Sequence, residues 1–176
     1  MQKWIILLII AVIAIIGIFI VLNVNIETEY VPESEVSETE FRNTIVTLYF
    51  QDGETKELVK ENRLIDSKNL LKDPYKELLN LLMTGPENEG YKKCIPDGTE
   101  IIDVAYENET VIINFSKEFV ENNGEEKQKY NSVYSIVNTL TELNEVSKIK
   151  FIVDGKEIDG FTGIGLDFKQ VFSRVN

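Results

Sequence analysis

Cys94 is the only cysteine of the chain, and two lysines, Lys92 and Lys93, stand directly before it. Adjacent cations lower a thiol pKa and raise its reactivity, so this trio is the first place to look for nucleophilic chemistry. A nucleophilic cysteine also needs a base, usually histidine, and the chain has no histidine. The other residues with catalytic capacity are carboxylates. Asp97, Asp103, Glu107 and Glu109 crowd one short region, and a glycosidase needs two carboxylates flanking the scissile bond. No motif organises these four, and they read as a solvated acidic surface. The Asp-Gly pairs at Asp52, Asp97 and Asp154 are turn signals. None stands in the Asp-x-Asp-x-Asp-Gly spacing of a calcium loop. The sequence therefore nominates no catalytic, cofactor-binding or metal-binding residue, no cofactor, and no enzymatic activity.

The stretch around Cys94, Met83 to Glu100, holds two of the four prolines and three of the ten glycines. Each has a backbone role. Gly85 is expected to supply the left-handed C-terminal cap of a helix, and Pro86 blocks its continuation. Pro96-Asp97-Gly98 reads as a β-turn with Pro at its second position and Gly at its fourth. Cys94 is then a structural residue in a connection.

The elements on either side follow from hydrophobic period. Thr44–Phe50 alternates, with Val46, Leu48 and Phe50 on one face, as a strand requires. Glu57–Ile65 is a weaker second strand. Asp73-Pro74 opens a helix as N-cap and first residue, and Tyr75, Leu78, Leu79 and Leu82 line one face of it. Glu100–Tyr106 and Thr110–Phe115 form an antiparallel hairpin. Ser116 caps a short turn that Gly124 breaks. A longer helix runs from about Glu125 to Leu143, with Tyr130, Val133, Tyr134, Val137, Leu140 and Leu143 as its apolar stripe. Ser147–Val153 is a last strand, ended by a tight turn at Asp154-Gly155. The tail offers Phe161, Ile164, Leu166 and Phe168 as core contacts without a definite element. This order predicts an α+β fold with two helices packed on one face of a mostly antiparallel sheet.

Upstream, Trp4 to Leu22 is a run of 19 residues without a charge. As a helix it is about 28 Å long, near the hydrocarbon thickness of a bilayer. It lacks a small-x-small cleavage site and a nearby cysteine for a lipid, so it is expected to be a retained single-pass anchor over residues 1–22. Lys3 precedes it and no basic residue follows until Arg42. The positive-inside rule then places the N-terminus in the cytoplasm and the remainder outside. Asn23 to Asn43 holds six glutamates and a proline. It cannot bury enough apolar surface to offset its conformational entropy, and reads as an acidic flexible linker. Residues 44–176 form the folded domain. The net charge of −12 argues against nucleic-acid binding, which needs clustered Lys and Arg.

Five blocks in order carry a resemblance: Leu78–Pro86, Ile95–Ile101, Val111–Phe119, Ser135–Leu143 and Lys148–Lys156. Together they resemble the GerM domain family of sporulation and spore-germination proteins, here in one copy, over about Thr44 to Phe168. The resemblance implies a domain similar to ring-building motifs, small α+β modules that assemble side by side. It also implies a non-enzymatic, envelope-facing protein. The expected partners are the bacterial membrane, through the N-terminal helix, and envelope or sporulation-complex proteins, with self-association. The competing expectation is a module that binds cell-wall peptidoglycan in vegetative cells. That reading wants exposed aromatics, whereas the single tryptophan, Trp4, sits in the apolar run and the tyrosines mostly fit core stripes.

Overall fold

In the computed structural model the described residues are Trp4, Ile18, 43–121, 124–161 and 163–174. The chain divides into two compact units, Met1–Glu40 and Phe41–Asn176. In the first, Trp4 and Ile18 are helical and exposed. The rest of the expected anchor and the acidic linker up to Arg42 lie outside the described residues. Among the described residues no helix is long and apolar enough to cross a membrane.

The second unit opens with the predicted alternating strand, β1 (Asn43–Asp52), paired antiparallel with β2 (Leu58–Asp66). The turn between them is held by Asp52, whose Oδ1 accepts from the Glu54 N–H at 3.0 Å and the Thr55 N–H at 2.8 Å. These backbone donors hold its carboxyl below the usual range. A short helix that the hydrophobic pattern did not announce, α1 (Ser67–Lys72), leaves β2 through an Asp66 N-cap. The helix opened by Asp73-Pro74 follows as α2 (Pro74–Thr84), with Asp73 Oδ1 accepting from the Lys76 N–H at 3.0 Å. It buries Leu78, Leu79 and Leu82, as its apolar face predicts. Gly85 ends it at φ +102° and ψ 178°. That is a region open essentially to glycine alone, rather than the left-handed helical cap expected.

A two-residue strand, β3 (Tyr91–Lys92), pairs with β1 at Gln51 and Asp52. The hairpin follows as β4 (Ile101–Glu107) and β5 (Thr110–Phe115). After a 3-10 turn at Lys117–Phe119 comes α3 (Glu126–Leu140), then β6 (Lys148–Val153) and a final short strand, β7 (Val171–Phe172). Ser116 does not cap the 3-10 turn with its side chain. Its hydroxyl accepts from the Glu100 N–H at 3.0 Å and ties the turn to the start of the hairpin.

The expected single sheet is corrected to two. One is antiparallel, in the order β2-β1-β3, and the other is mixed, in the order β4-β5-β6-β7. The β5–β6 pair is parallel, because α3 provides the long crossover that parallel neighbours need. The helices do not lie on one face of one sheet. Both α2 and α3 contact a strand of each sheet: α2 meets β1 and β4, and α3 meets β1 and β6. The Tyr49 N–H of β1 donates to Thr139 Oγ1 of α3 at 3.1 Å, so the helix satisfies a strand donor directly.

The tail closes the core. Phe161, Leu166 and Phe168 are buried, and Ile164 packs against them partly exposed. Phe119 stacks on Phe115 at 4.6 Å and on Phe151 at 5.7 Å, and Phe168 lies 5.1 Å from Phe151. Gly160, at φ +72°, lets the tail turn there. A Cβ on it would fall 2.5 Å from the Leu166 carbonyl oxygen and 2.6 Å from the Phe168 ring.

The hairpin turn gives a stability prediction. Asn108 (φ +48°) and Glu109 (φ +60°) both have positive φ, the two-residue turn that matches strand twist and favours Asn-Gly. Asn suits its place. Glu109 is strained there, and its exposed side chain makes one contact at 3.3 Å, to Ser147 Oγ. The Glu109 carbonyl, which accepts from the Ser147 and Lys148 N–H groups, survives substitution. Glu109→Gly is expected to stabilise the domain by about 0.5–1 kcal/mol. It should raise the urea midpoint with an unchanged slope, and a lowered midpoint would refute this reading of the turn.

Candidate functional site

Cys94 follows β3, where the chain crosses α3. The residue is half-buried, with its sulfur 3.9 Å from the Lys92 carbonyl oxygen. Burial pushes the thiol up to about 12, and hydrogen bonds from the Ser135 side chain and the Gln51 backbone do not offset it. Lys93 is turned away to an ion pair with Asp97. The structure thus separates what the sequence places side by side, and the thiol stays protonated at physiological pH. Thiol alkylation of the native protein below pH 9 should run about a thousandfold slower than that of an unperturbed cysteine, from the thiolate fraction alone. Labelling at the free-thiol rate would overturn the inert assignment.

The carboxylates around the hairpin are also dispersed. Asp103, Glu107 and Glu109 are exposed on the hairpin, and Asp97 is paired with Lys93. Lys93 holds the Asp97 carboxyl below the usual range. Three clefts are described, of about 290, 170 and 380 Å³, and each is lined by one carboxylate: Asp97, Glu57 and Glu126 respectively. None provides the facing pair that glycoside hydrolysis uses. Among the described residues no group of three acidic or cysteine side chains could hold a metal ion.

The Pro96 turn is shifted by one residue from the sequence expectation. The Thr99 N–H donates to the Pro96 carbonyl at 3.3 Å, which makes Pro96 the first residue and Gly98 the third. Gly98 has φ +82°, and the third position of a type II turn requires a positive φ.

Two polar constellations that the sequence reading did not single out organise the domain. The first fixes the connection after α2. Glu61 and Arg63 point inward from β2 and are 9% and 6% exposed. They form an ion pair with each other. The Glu61 carboxylate accepts from the Glu87 N–H at 3.1 Å and the Asn88 N–H at 3.0 Å. Arg63 Nη2 donates to the Gly85 carbonyl at 3.0 Å, and its Nε lies 3.2 Å from Glu87 Oε1. Burial opposes ionisation of Glu61, yet the two backbone donors and Arg63 outweigh it and keep the carboxyl below the usual range. The signal was present as charged residues at alternate positions of a strand whose Val59 and Ile65 face the same way.

The second constellation ties the C-terminal segment to the opposite side of the same sheet. Tyr49 Oη donates to Glu142 Oε1 at 2.7 Å, Arg174 reaches both Tyr49 Oη and Glu142, and Lys60 Nζ lies 3.4 Å from Glu142. Burial works against the Glu142 charge, and Tyr49 and Arg174 outweigh it. These groups are all mutually engaged, which fits bracing.

The family of proteins described as Germane, sporulation and spore germination, matches residues 47–159. The chain belongs to the Germane family. The match runs from β1 to just before the turn at Gly160, so the aromatic tail that completes the core lies beyond it. Solved structures agree with the fold. The first Germane domain of a sporulation protein from Bacillus subtilis is 25% identical with a TM-score of 0.59, covering 74% of this chain and 98% of that one. The tandem domains of the same protein align at 22% identity and a TM-score of 0.63, with 75% and 46% of the two chains covered. This Germane chain thus spans about half the length of the tandem protein. A crystal structure described as a lipoprotein from Clostridium perfringens aligns at 24% identity and a TM-score of 0.53, covering 75% and 88%. No curated protein sequence matches the chain.

Proposed function

We propose that this Germane protein is a membrane-anchored, extracytoplasmic interaction module of a bacterial envelope complex serving sporulation or spore germination, and that it works without catalysis. The observation that carries the reading is the family match over residues 47–159. The uncharged run Trp4–Leu22 and the lysine before it support an anchor with the domain outside. The protonated Cys94 and the dispersed carboxylates support a non-catalytic role. The mechanism is geometric: the anchor fixes one end, the acidic linker gives reach, and the rigid domain presents its surface to partner proteins or to a second copy.

The test is localisation of the full chain, tagged at its C-terminus with a fluorophore that matures outside the cytoplasm, through growth and starvation of its host. Enrichment at the membrane engulfing a forespore is expected. Uniform signal around growing cells would refute the sporulation role, and loss of fluorescence outside the cytoplasm would refute the topology.

A further inference from the structure

The end of the domain at which the chain arrives combines exposed aliphatic side chains with lysines. β1 begins at Asn43, which pairs with Asp66, and α1 starts at the residue after Asp66. Leu71 of α1 is 83% exposed, more than any other large hydrophobic side chain among the described residues. Its neighbour Leu70 packs against the core, so the two leucines part to opposite sides of the helix. Ile45 and Leu64 are the next most exposed within the domain, at 68% and 62%. They stand opposite one another on β1 and β2, close to the same end. Val46 and Ile65, which alternate with them, are buried, so the pair lies on the outer face of the sheet.

The charge here is opposite in sign to that of the whole chain, which is −12. Between Ser67 and Lys76 stand Lys68, Lys72 and Lys76 and a single acid, Asp73. The Asp73 carboxylate already accepts from the Lys76 N–H as the N-cap of α2. All three lysines are exposed, and no acidic side chain among the described residues pairs with Lys72 or Lys76. Elsewhere Lys56, Lys93, Lys117, Lys127, Lys150 and Lys169 all form ion pairs. Lys68, Leu71 and Lys72 stand at i, i+3 and i+4, on one face of α1. Like charges at that spacing weaken a helix, and an exposed leucine adds nothing to the core. An aliphatic side chain between unpaired lysines matches a surface that is anionic on top and apolar beneath, which is an acidic lipid bilayer. The course of the chain favours the same occupant. The uncharged run Trp4–Leu22 is joined to β1 by a linker of about 20 residues, whose r.m.s. span is about 25 Å when flexible and more as its glutamates repel. An anchor in that run keeps this end of the domain within reach of the membrane at high effective concentration.

We propose that α1, with the Ile45–Leu64 pair at the same end, docks the domain on the surface of an anionic lipid bilayer. Lys68, Lys72 and Lys76 meet the lipid phosphates, and Leu71 enters the boundary between headgroups and acyl chains. The inference rests on the anchor proposed above for its proximity to the bilayer, and not on a role in sporulation. A docked domain presents a fixed face to its partners, which a domain swinging on its linker does not.

The experiment is paramagnetic relaxation NMR of the full chain in lipid nanodiscs that carry a gadolinium-chelating lipid. One set of discs is phosphatidylcholine alone, and the other mixes it with phosphatidylglycerol. In the anionic discs the amides of Lys68–Lys72 should broaden more than those of the rest of the domain surface, and in the neutral discs that contrast should vanish. Lys72→Gln combined with Lys76→Gln should lower the docking equilibrium about 25-fold, fivefold for each lysine taken from an anionic surface. Leu71→Ser should weaken docking with the charge unchanged. All three positions are exposed, and unshifted resonances in the rest of the domain establish that the variants fold. Uniform broadening across the domain, the same contrast in neutral discs, or a contrast undiminished in the double variant would each overturn the proposal; the first would leave this face to a protein partner. Recovery of the chain with the discs tests the anchor by itself. A chain that fails to incorporate refutes the anchor, and titration of the same discs into it from solution then decides docking by the same contrast.

Discussion

Replacing Arg63 by Ala is expected to cost about 3–5 kcal/mol, the range seen when one member of a buried ion pair is removed. The loss has two parts. Glu61 would remain 9% exposed with its charge unbalanced, and the Gly85 carbonyl would lose its donor. Glu61→Ala should cost a similar amount, since it leaves Arg63 with only the exposed Glu87 carboxylate as counter-charge and deprives the Glu87 and Asn88 N–H groups of their acceptor. The double variant should fall short of the sum of the singles by about 1–3 kcal/mol, as expected for residues sharing one network. Denaturant titrations of the four proteins measure this. Additive losses, or single losses below about 1 kcal/mol, would show that the pair is decorative.

The same network fixes a pH dependence. The folded-state pKa of Glu61 is depressed. Its contribution to stability is therefore fully present above the ordinary glutamate value and is lost as pH falls through the folded one. Stability should decline on the acid side, and Glu61→Gln should flatten that decline while lowering the neutral plateau.

The second large effect is expected at Phe168. Its side chain is fully buried and its ring touches those of Phe119, Phe151, Phe161 and Phe172, with centroids 5.1 to 6.0 Å apart. Phe168→Ala should cost about 3–5 kcal/mol through lost transfer energy and the cavity left behind. For a domain of this size that is a melting point lower by roughly 10–20 °C. Phe168→Leu, which refills much of the volume, should recover more than half of the loss. A Phe168→Ala protein melting within a few degrees of the wild type would mean that the tail is an accessory to the domain.

Phe168 also marks where sequence reasoning reached its limit. Local signals were legible. Asp73-Pro74 and Gly85 bound α2 where their chemistry predicts, and the hairpin Ile101–Phe115 and the turn at Asp154-Gly155 fall at their expected places. Each rests on contacts between residues close in sequence. The apolar tail residues were recognisable as core, but not their placement, because Phe168 meets Phe119 and Phe151 from across the fold. The division into two sheets was hidden for the same reason: no local pattern tells whether β1–β2 joins β4–β5. Along α3, Tyr130 and Tyr134 carried the right period for a core stripe, and they do pack against the core. Periodicity could not reveal that Asn131 and Asn138 on the same helix keep unfilled acceptors.

The strands that border the two sheets bear on how copies of the molecule meet. A long, flat, unpaired strand is a template on which another chain adds its own, and unchecked addition leads to domain swapping and fibres. Here β2 carries the inward charges of Glu61 and Arg63, which an aligned intruder would have to accommodate. On the other borders, β3 and β7 are two residues long, and β4 is interrupted between Ile101 and Asp103 and carries exposed Asp103 and Glu107. Every border strand among the described residues is thus short, charged or irregular. The ion pair that pins one loop also guards against aggregation, and it steers any lateral assembly away from backbone pairing and toward contacts between side-chain surfaces.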